Sequence, residues 1–391
     1  MEKIFNNTEV AFSLKSDTEL DRAYFLFKMI ASEPLVRIGT AVTNFAIKAH
    51  LPVEGLIRAT VFDHFCGGTT EVDCLTVVDK MFTKGVSSVL DYSVEGKEEE
   101  AQFDAALNMT LKTVDFAQAR KAIPFAVFKP TGLGRIALYE KVGLKHPLTE
   151  SEQNEWNRVF ERFDIICRTA HEKDVALLID AEESWMQDAA DDLVEEMMRR
   201  YNTEKPIVFN TLQMYRWDRL DYLKELHARA LQEGFFIGMK LVRGAYMEKE
   251  NDRAHQLGQK SPICFSKAAT DENYNMALDY MMLHIDRMAI FAGTHNEESS
   301  YKLMEMMASQ GIEKNDCRIW FGQLYGMSDN ISYNLAKEGY NVAKYLPFGP
   351  VRDVMPYLIR RAEENTSVAG QTSRELNLLK TERERRKAVR R

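Results

Sequence analysis

The chain has 391 residues and a formal net charge of −8, with 45% hydrophobic and 28% charged residues. Such a composition is ordinary for a soluble globular protein. The acidic balance excludes a chain that is built as a whole to bind nucleic acid. The length is compatible with two or three domains, although α/β barrels routinely run long as one domain.

The cysteines and the N-terminus indicate the compartment. The five cysteines are scattered, and none forms a CxxC pair, so neither a disulfide framework nor a zinc site is indicated. The first ten residues, MEKIFNNTEV, resemble neither a signal peptide nor an arginine-rich transit peptide. No apolar run approaches the ~18 residues of a membrane span. We therefore expect a cytoplasmic location, and a peripheral contact with the inner face of a membrane stays open.

Helical periodicity predominates near the N-terminus. Apolar residues recur at helical spacing in Glu19–Ser32 and Pro34–Ala49, which predicts a helical arm over residues 1–70. A further helix is predicted for Thr70–Lys84, with Thr70 as its N-cap.

The two ends of the chain flank a predicted catalytic domain at residues 71–366. Beyond it, residues 367–391 form a basic tail that ends in ERERRKAVRR. Two interpretations of this tail stay open. It is either the frayed, solvated end of a helix or a contact with anionic lipid head groups.

From residue 87 onward, short apolar runs alternate with helical stretches. The runs are continuous rather than alternating in polarity, as expected of strands that are buried on both faces of a parallel sheet. Eight strands that are each followed by a helix predict an α/β fold, the (βα)8 barrel. An extra helix is predicted near Thr149–Ala170. The predicted strands are Ser87–Tyr92, Pro124–Lys129, Val175–Asp180, Pro206–Asn210, Phe236–Val242, Met288–Gly293, Arg318–Phe321 and Asn341–Tyr345.

Polar side chains stand at the ends of nearly all these strands, where such barrels carry their chemistry. The set lacks a metal-binding pattern, a Ser-His-Asp nucleophile system and a phosphate-binding glycine fingerprint. Its mixture of charges and amides suits an anionic organic cofactor, which would supply any redox chemistry, and a small zwitterionic substrate. The set comprises Asp91, Glu95, Lys129, Asp180, Asn210, Gln213, Lys240, Arg243, Thr294, His295, Gln323 and Tyr345.

Two adjacent arginines, Arg360 and Arg361, lie late in a helix that Gly349-Pro350 is predicted to open. They either form a solvated face that pairs with nearby acids or hold a substrate carboxylate. Arg360 lies roughly 15 Å along the helix from Pro350. It reaches the barrel mouth only if this eighth helix lies across the top, and Thr70–Lys84 would then fill the gap in the outer ring.

Several motifs occur in an order that resembles the proline dehydrogenase family, in the style of its stand-alone, mitochondrial-type branch. The resemblance implies a distorted (βα)8 barrel with the eighth helix over the mouth, non-covalently bound FAD, and oxidation of L-proline to 1-pyrroline-5-carboxylate. It further implies a membrane quinone as electron acceptor and pyrroline-5-carboxylate dehydrogenase as the pathway partner. The motifs are LDYSVE, FKPTGLGR, IDAEES, FNTLQMY, KLVRGAY, THNEES, FGQLYGMSD and KYLPFGPVRDVMPYLIRRAEEN.

By position in these motifs, the resemblance assigns substrate roles. Arg360, Arg361 and Lys129 would hold the proline carboxylate, and Glu95 would pair with Arg360 to close the helix over the substrate. Asp180 and Tyr345 would form a hydrogen-bonded pair, with the tyrosine against the proline ring. The remaining walls of the pocket would be Leu324 and Tyr246.

The resemblance also implies cofactor contacts. Gln213 and Lys240 would contact the isoalloxazine ring. Lys240 is arginine in some relatives, and a lysine keeps the charge but loses the planar fork. The ribityl, pyrophosphate and adenosine parts would meet Arg243, Thr294, His295 and Glu364.

Two competing hypotheses accompany this prediction. A hydroxyproline dehydrogenase is disfavoured by Tyr345, because relatives that accept hydroxyproline carry a smaller residue there. A catalytically silent flavin- or proline-binding barrel is disfavoured by the complete set of catalytic candidates. Water, or Asp180 acting through water, is the candidate base for the substrate amine.

Overall fold

The protein is represented by a computed structural model that describes residues 3–32, 34, 55, 61–93, 97–367 and 371–390, with the side chains of 362–372 left undescribed. Eight strands form a closed parallel barrel in the order β1 to β8, which confirms the predicted fold class. The strands are β1 (Val86–Tyr92), β2 (Phe125–Phe128), β3 (Ala176–Ile179), β4 (Val208–Gln213), β5 (Ile237–Val242), β6 (Met288–Gly293), β7 (Ile319–Leu324) and β8 (Val342–Phe348).

Helices connect the strands and extend the chain at both ends. In the described part they are Thr8–Ala11, Asp17–Ile30, Asp63–Phe65, Leu75–Phe82, Glu100–Ala119, Ile136–Gly143, Glu150–Glu172, Ser184–Tyr201, Arg219–Glu233, Met247–Gln256, Lys267–Leu283, Glu297–Ser309, Asp329–Lys337, Val351–Ser367 and Gln371–Val389. The predicted helix Pro34–Ala49 lies almost entirely outside the described residues.

Three strands run further than predicted. β4 reaches Gln213, β7 reaches Leu324, and β8 passes Tyr345 and ends at Phe348. The apolar run is the sequence signal for a buried strand, and polar residues near the carboxyl ends interrupt that signal. Tyr345 therefore lies inside β8, and the prediction that it ends the strand is wrong.

The caps of two predicted helices have different outcomes. Thr149 caps Glu150–Glu172 through a capping box with Glu152, which satisfies backbone N–H groups at the start of the helix. Thr70 does not cap the next helix, which begins at Leu75. Its hydroxyl instead accepts from the backbone N–H of Asp73 at 3.2 Å, because threonine also stabilises turns that compete with a helix.

The chain divides into two compact units. We call residues 94–321 the central unit and residues 1–93 together with 322–391 the terminal unit. The predicted domain boundaries at 70 and 366 stay a prediction. In the central unit the barrel core contains edge-to-face aromatic pairs, with the ring of Phe125 5.8 Å from Phe209 and 5.2 Å from Phe291. Such pairs add to the free energy that apolar burial contributes.

The eighth helix, Val351–Ser367, belongs to the terminal unit. It begins as predicted, because the carbonyl of Pro350 accepts from the N–H groups of Asp353 and Val354 at 2.9 and 3.1 Å. Its apolar face joins a buried cluster that includes Phe12, Phe27, Phe65, Val354, Leu358 and Leu379. Each buried phenylalanine contributes about 1.5–3 kcal/mol. The predicted position of this helix over the barrel mouth stays a prediction.

The C-terminal helix Gln371–Val389 packs against Asp17–Ile30. Arg386 donates to Glu382 at 2.7 Å and to Asp17 at 2.9 Å. The basic tail is thus a packed helix rather than a frayed one, because acids of the terminal unit neutralise its arginines.

Candidate active site

A carboxylate held between two lysines lies at the carboxyl ends of the central strands. Asp180 directly follows β3, and its Oδ2 is 3.3 Å from Nζ of Lys129, which directly follows β2. Its Oδ1 accepts a hydrogen bond from Nζ of Lys240 in β5. All three side chains are largely buried, and that of Asp180 retains 14% exposure.

The surroundings of Asp180 keep it ionised. Burial raises the pKa of this carboxyl, but the attraction of Lys240 and Lys129 outweighs burial and holds the pKa below its ordinary value. Opposite charges at this distance favour the charged form. The three residues therefore carry a net charge of one positive unit, which suits the binding of an anion. Sequence reasoning missed the contact between Lys240 and Asp180, because the residues are 60 positions apart.

The loops after β2, β3 and β4 are joined by hydrogen bonds. The buried carboxylate of Glu182 accepts from the N–H of Thr131 at 2.8 Å and from its hydroxyl at 2.6 Å. Gln213 ends β4, and its Nε2 donates to the carbonyl of Glu182 at 2.6 Å. The sequence shows Glu182 only as the middle of the IDAEES motif, so its partners could not be found from spacing.

Arg243, directly after β5, is held by four neighbours. Its guanidinium donates to Asp271 at 2.6 Å, to the hydroxyl of Thr294 at 2.7 Å and to the hydroxyl of Ser299 at 3.0 Å. The same group lies 4.5 Å from the ring centre of Tyr274. The structure thus brings together Arg243 and Thr294, both predicted, and adds three residues that the sequence did not indicate.

The other predicted residues of the central unit lie on or beside the strands β4, β5 and β6. Tyr246 is buried directly before the helix Met247–Gln256, and Nζ of Lys249 lies 5.5 Å from its ring centre. His295 is half-buried two residues after β6. Asn210 points away from the strand ends, because its Nδ2 donates at 2.9 Å to Asp191 of the outer helix Ser184–Tyr201, which precedes β4. Its prediction as a mouth residue is wrong, since alternate residues of a strand face opposite sides.

In the terminal unit, Tyr345 and Leu324 lie on β8 and β7. Tyr345 is buried, pairs with Val89 of β1, and accepts from the N–H of Tyr325 at 2.8 Å through its carbonyl. Leu324 is partly buried against the apolar cluster that includes the eighth helix.

The two arginines of the eighth helix differ in exposure. Arg361 is buried, and its guanidinium lies 5.2 Å from the ring centre of Tyr357, one turn earlier. The interpretation of the pair as a solvated face is therefore wrong for Arg361. Arg360 is half-buried. Glu95 lies outside the described residues, and the side chain of Glu364 is not described.

The candidates with a described side chain thus fall into two sets, one within each unit. The central set comprises Lys129, Asp180, Gln213, Lys240, Arg243 and Thr294, and the terminal set comprises Leu324, Tyr345, Arg360 and Arg361. The predicted hydrogen bond between Asp180 and Tyr345 stays a prediction.

The donors of the central unit fit a flavin dinucleotide in their chemistry. Gln213 and Lys240 offer an amide and an ammonium group of the kind that bind the polar edge of a flavin ring. Arg243 and Thr294 offer a guanidinium and a hydroxyl suited to a pyrophosphate. Both cations are already paired with acids, so an anionic ligand would share them with Asp180 and Asp271.

A closed parallel barrel with ionised groups at its strand ends defines the class of the (βα)8-barrel enzymes. Comparison with family models then identifies the chain more closely. The model described as proline dehydrogenase matches residues 74–374. The chain belongs to the proline dehydrogenase family and is an oxidoreductase.

Individual relatives agree with this assignment. The carbapenem antibiotics biosynthesis protein CarD of Pectobacterium carotovorum is 38% identical over 92% of this chain and 94% of its own length. Proline dehydrogenase 1 of Arabidopsis thaliana is 31% identical over 96% of this chain and 85% of the relative. Hydroxyproline dehydrogenase of Xenopus laevis is also 31% identical, over 96% of this chain and 88% of the relative.

A solved structure supports the fold. Proline utilization A from Bdellovibrio bacteriovorus, inactivated by N-propargylglycine, matches with a TM-score of 0.69 and 22% identity. The match covers 94% of this chain and 37% of that chain. The chain therefore corresponds to about a third of that larger protein.

Proposed function

We propose that this protein oxidises L-proline to 1-pyrroline-5-carboxylate with non-covalently bound FAD. The cluster of Lys129, Asp180 and Lys240 carries the proposal. It presents a net positive charge at the strand ends of a barrel whose family is proline dehydrogenase. A buried net positive charge favours a substrate that enters as a carboxylate.

The substrate roles are assigned to both sets of residues. Lys129, Arg360 and Arg361 hold the proline carboxylate through charge-assisted hydrogen bonds. Tyr345, Leu324 and Tyr246 exclude water from the apolar part of the proline ring. Glu95 pairs with Arg360 and closes the eighth helix over the substrate.

The cofactor roles are assigned to residues that follow β4, β5 and β6, together with one residue of the eighth helix. Gln213 and Lys240 orient the isoalloxazine ring, while Arg243, Thr294, His295 and Glu364 bind the ribityl, pyrophosphate and adenosine parts. When bound, FAD supplies the acceptor for two electrons and one hydrogen. The chain itself supplies binding, orientation and electrostatics.

The reaction breaks one C–H bond and one N–H bond of proline. The ring carbon next to nitrogen, on the side away from the carboxylate, loses hydrogen as hydride, and the nitrogen lone pair forms the C=N bond. The amine proton leaves to water. The carboxylate of Asp180, which Lys240 and Lys129 keep ionised, can accept this proton through a bridging water. Most of the rate enhancement comes from orientation of the ring by Lys129, Arg360 and Arg361, the carboxylate clamp.

The electrons then pass to an acceptor, for which we propose a membrane quinone. Within the described residues, none of the helices combines the length and apolarity needed to cross a membrane. The proposed contact with the membrane is peripheral. A pyrroline-5-carboxylate dehydrogenase would consume the product if the role is proline catabolism.

The physiological context has its own test, because a relative with 38% identity bears the name of a carbapenem biosynthesis protein. We expect deletion of the gene to abolish growth on proline as sole nitrogen source. Normal growth of the deletion strain would contradict the catabolic role and leave the chemistry of the enzyme unaffected.

The decisive experiment is a visible spectrum of the purified protein before and after anaerobic addition of L-proline. We expect a yellow protein that bleaches. A colourless protein that cannot take up FAD would rule out every flavin hypothesis. A yellow protein that L-proline does not bleach would rule out proline oxidation. It would favour a hydroxyproline dehydrogenase if trans-4-hydroxyproline bleaches it, and a silent barrel if neither compound does.

The same anaerobic bleaching assay tests the alternative that the protein is a hydroxyproline dehydrogenase. We expect trans-4-hydroxyproline to bleach the protein more slowly than L-proline, because the buried Tyr345 leaves little room for a ring hydroxyl. We expect Tyr345→Ser to narrow this difference. A faster reaction with trans-4-hydroxyproline in the native protein would reverse the assignment.

The carboxylate clamp is tested by Arg361→Met. We expect the KM for L-proline to rise by about 100-fold, since the variant loses a charge-assisted hydrogen bond and one positive charge. Flavin content should stay near that of the native protein. An unchanged KM would remove Arg361 from the clamp.

A further inference from the structure

We propose that Glu182 is a positioning residue that fixes Lys129 and Gln213 relative to Asp180. The inference rests on the proposed function, because it concerns how the residues assigned to substrate and flavin are held. Glu182 is buried in the loop after β3, two residues beyond Asp180.

The carboxylate of Glu182 anchors the loop that carries Lys129. Its Oε2 accepts from the N–H of Thr131 at 2.8 Å, and its Oε1 accepts from the hydroxyl of Thr131 at 2.6 Å. Thr131 is two residues beyond Lys129, so these bonds restrict the direction in which the loop leaves β2.

The backbone carbonyl of Glu182 orients Gln213. The Nε2 of Gln213 donates to this carbonyl at 2.6 Å, and its Oε1 accepts from the N–H of Ala245 at 3.2 Å. Both ends of the amide are therefore occupied, which selects one of its two orientations. The amide links the end of β4 with the loops after β3 and β5.

Glu182 is itself held from the opposite side. Its N–H donates to Oε1 of Gln187 at 2.9 Å, and Nε2 of Gln187 donates to Asp191 at 2.8 Å. The residue is thus fixed to the outer helix Ser184–Tyr201 while its carboxylate and carbonyl reach the neighbouring loops. The side chain and backbone of Glu182 thus set the spacing of the carboxyl ends of β2, β3 and β4.

This geometry discriminates between substitutions. Aspartate is one methylene shorter, so its carboxylate cannot accept both hydrogen bonds from Thr131 without moving a loop. Glutamine has the same length, and the hydroxyl of Thr131 can turn to accept from its amide while the amide oxygen accepts from the backbone. If Glu182 acts by positioning, Glu182→Gln should therefore keep the two hydrogen bonds to Thr131 that Glu182→Asp loses.

The test compares Glu182→Asp and Glu182→Gln with Glu195→Asp as a matched control. Glu195 is a similarly buried glutamate that accepts from Arg229 on the outer helices. The readouts are the Kd of a proline analogue with a ring oxygen in place of nitrogen, kcat/KM per bound flavin, and Tm. The Kd is followed by the shift in the visible spectrum.

We expect Glu182→Asp to raise the Kd about tenfold and lower kcat/KM about 100-fold, as small misplacements of binding groups do. Glu182→Gln should recover most of both losses. Glu195→Asp should lower Tm and leave Kd and kcat/KM unchanged. A Glu182→Asp variant with a lower Tm but native Kd and kcat/KM would overturn the proposal, as would a glutamine variant as impaired as the aspartate variant.

A milder variant keeps the proposal testable if Glu182→Asp does not fold. Thr131→Val retains the buried carboxylate and removes a single hydrogen bond. We expect kcat/KM to fall by about threefold to tenfold, the equivalent of one ordinary hydrogen bond, and an unchanged kcat/KM and Kd would overturn the proposal. Failure of the proposed function would look different, because the native protein would then not be bleached by L-proline.

Discussion

Among the residues that the structure describes, Asp180 and Asp329 are each held between two lysines, but Asp180 directly follows a strand whereas Asp329 begins a helix. Asp180 in the central unit pairs with Lys129 and Lys240. Asp329 in the terminal unit pairs with Lys15 at 3.2 Å and with Lys344 at 2.8 Å. In both cases burial raises the pKa of the carboxyl, and the attraction of the two lysines reverses the shift.

The two clusters differ in what surrounds the lysines. Lys344 is wholly buried inside β8, and its three donors meet Asp329, the carbonyl of Met327 at 2.7 Å and the carbonyl of Leu324 at 3.4 Å. An ammonium group has three donors, so all the donors of Lys344 are occupied by groups of the protein itself. Asp180 instead retains partial exposure between two strand ends. The same charge pattern is thus structural in one place and a candidate site in the other.

The sharpest test of this difference is Asp329→Asn, which leaves two lysines without their counter-charge. We expect the free energy of unfolding to fall by about 3–5 kcal/mol, the usual cost of breaking a buried ion pair. Denaturant unfolding gives this value. The kcat/KM of the folded enzyme should be unchanged, and a stable but inactive variant would show that the terminal cluster takes part in function.

The corresponding substitution in the central cluster is Asp180→Asn. Without the carboxylate, Lys129 and Lys240 repel each other and leave their positions, so we expect kcat/KM for L-proline to fall by about 100-fold. Steady-state kinetics per bound flavin measures the effect. Native kinetics in this variant would remove the central cluster from the proposed site.

The terminal cluster also predicts a dependence of stability on pH through Glu375. Burial, with repulsion from Asp329, raises the pKa of this carboxyl to about 7, against the attraction of Lys344 and Lys15 and a hydrogen bond from the backbone of Ser328. The folded protein therefore holds a proton that the unfolded chain loses near pH 4.5. Between pH 4.5 and 7 the contribution of Glu375 to stability falls as pH rises.

Glu375→Gln removes this cost of burying a charge. We expect the variant to be more stable than the native protein by about 2–3 kcal/mol at pH 8 and to differ little at pH 4.5. Thermal unfolding at the two pH values checks the prediction. An equal shift of Tm at both pH values would indicate that Glu375 is not the titrating group.

The smallest expected effects come from replacing one lysine of each cluster by arginine. Lys344→Arg adds bulk to a fully buried position and should destabilise by about 1–3 kcal/mol. Lys240→Arg keeps the charge next to the partly exposed Asp180, so we expect kcat/KM to change by less than about tenfold. Greater destabilisation by the second substitution would reverse our comparison of the two clusters.

The sequence predicted the central candidates because each lies within or directly after the carboxyl-terminal half of a strand, in a recognisable motif. It could not predict their partners, since Asp271 binds Arg243 from a helix 28 residues away. Likewise Lys344 resembles Lys240 in the sequence, as both interrupt an apolar strand. Only their neighbours in the folded chain distinguish them.

The amino-acid sequence by itself determined the barrel, because eight apolar runs of strand length that alternate with helical stretches leave few other ways to bury them. It also determined the family, through motifs that keep their order along the chain. The tertiary structure decided where β4, β7 and β8 end, that Asn210 faces an outer helix, and that Arg361 is buried. It also decided that the donors of Lys344 are all used within the protein. These outcomes depend on contacts between residues far apart in sequence, and local spacing carries no information about such contacts.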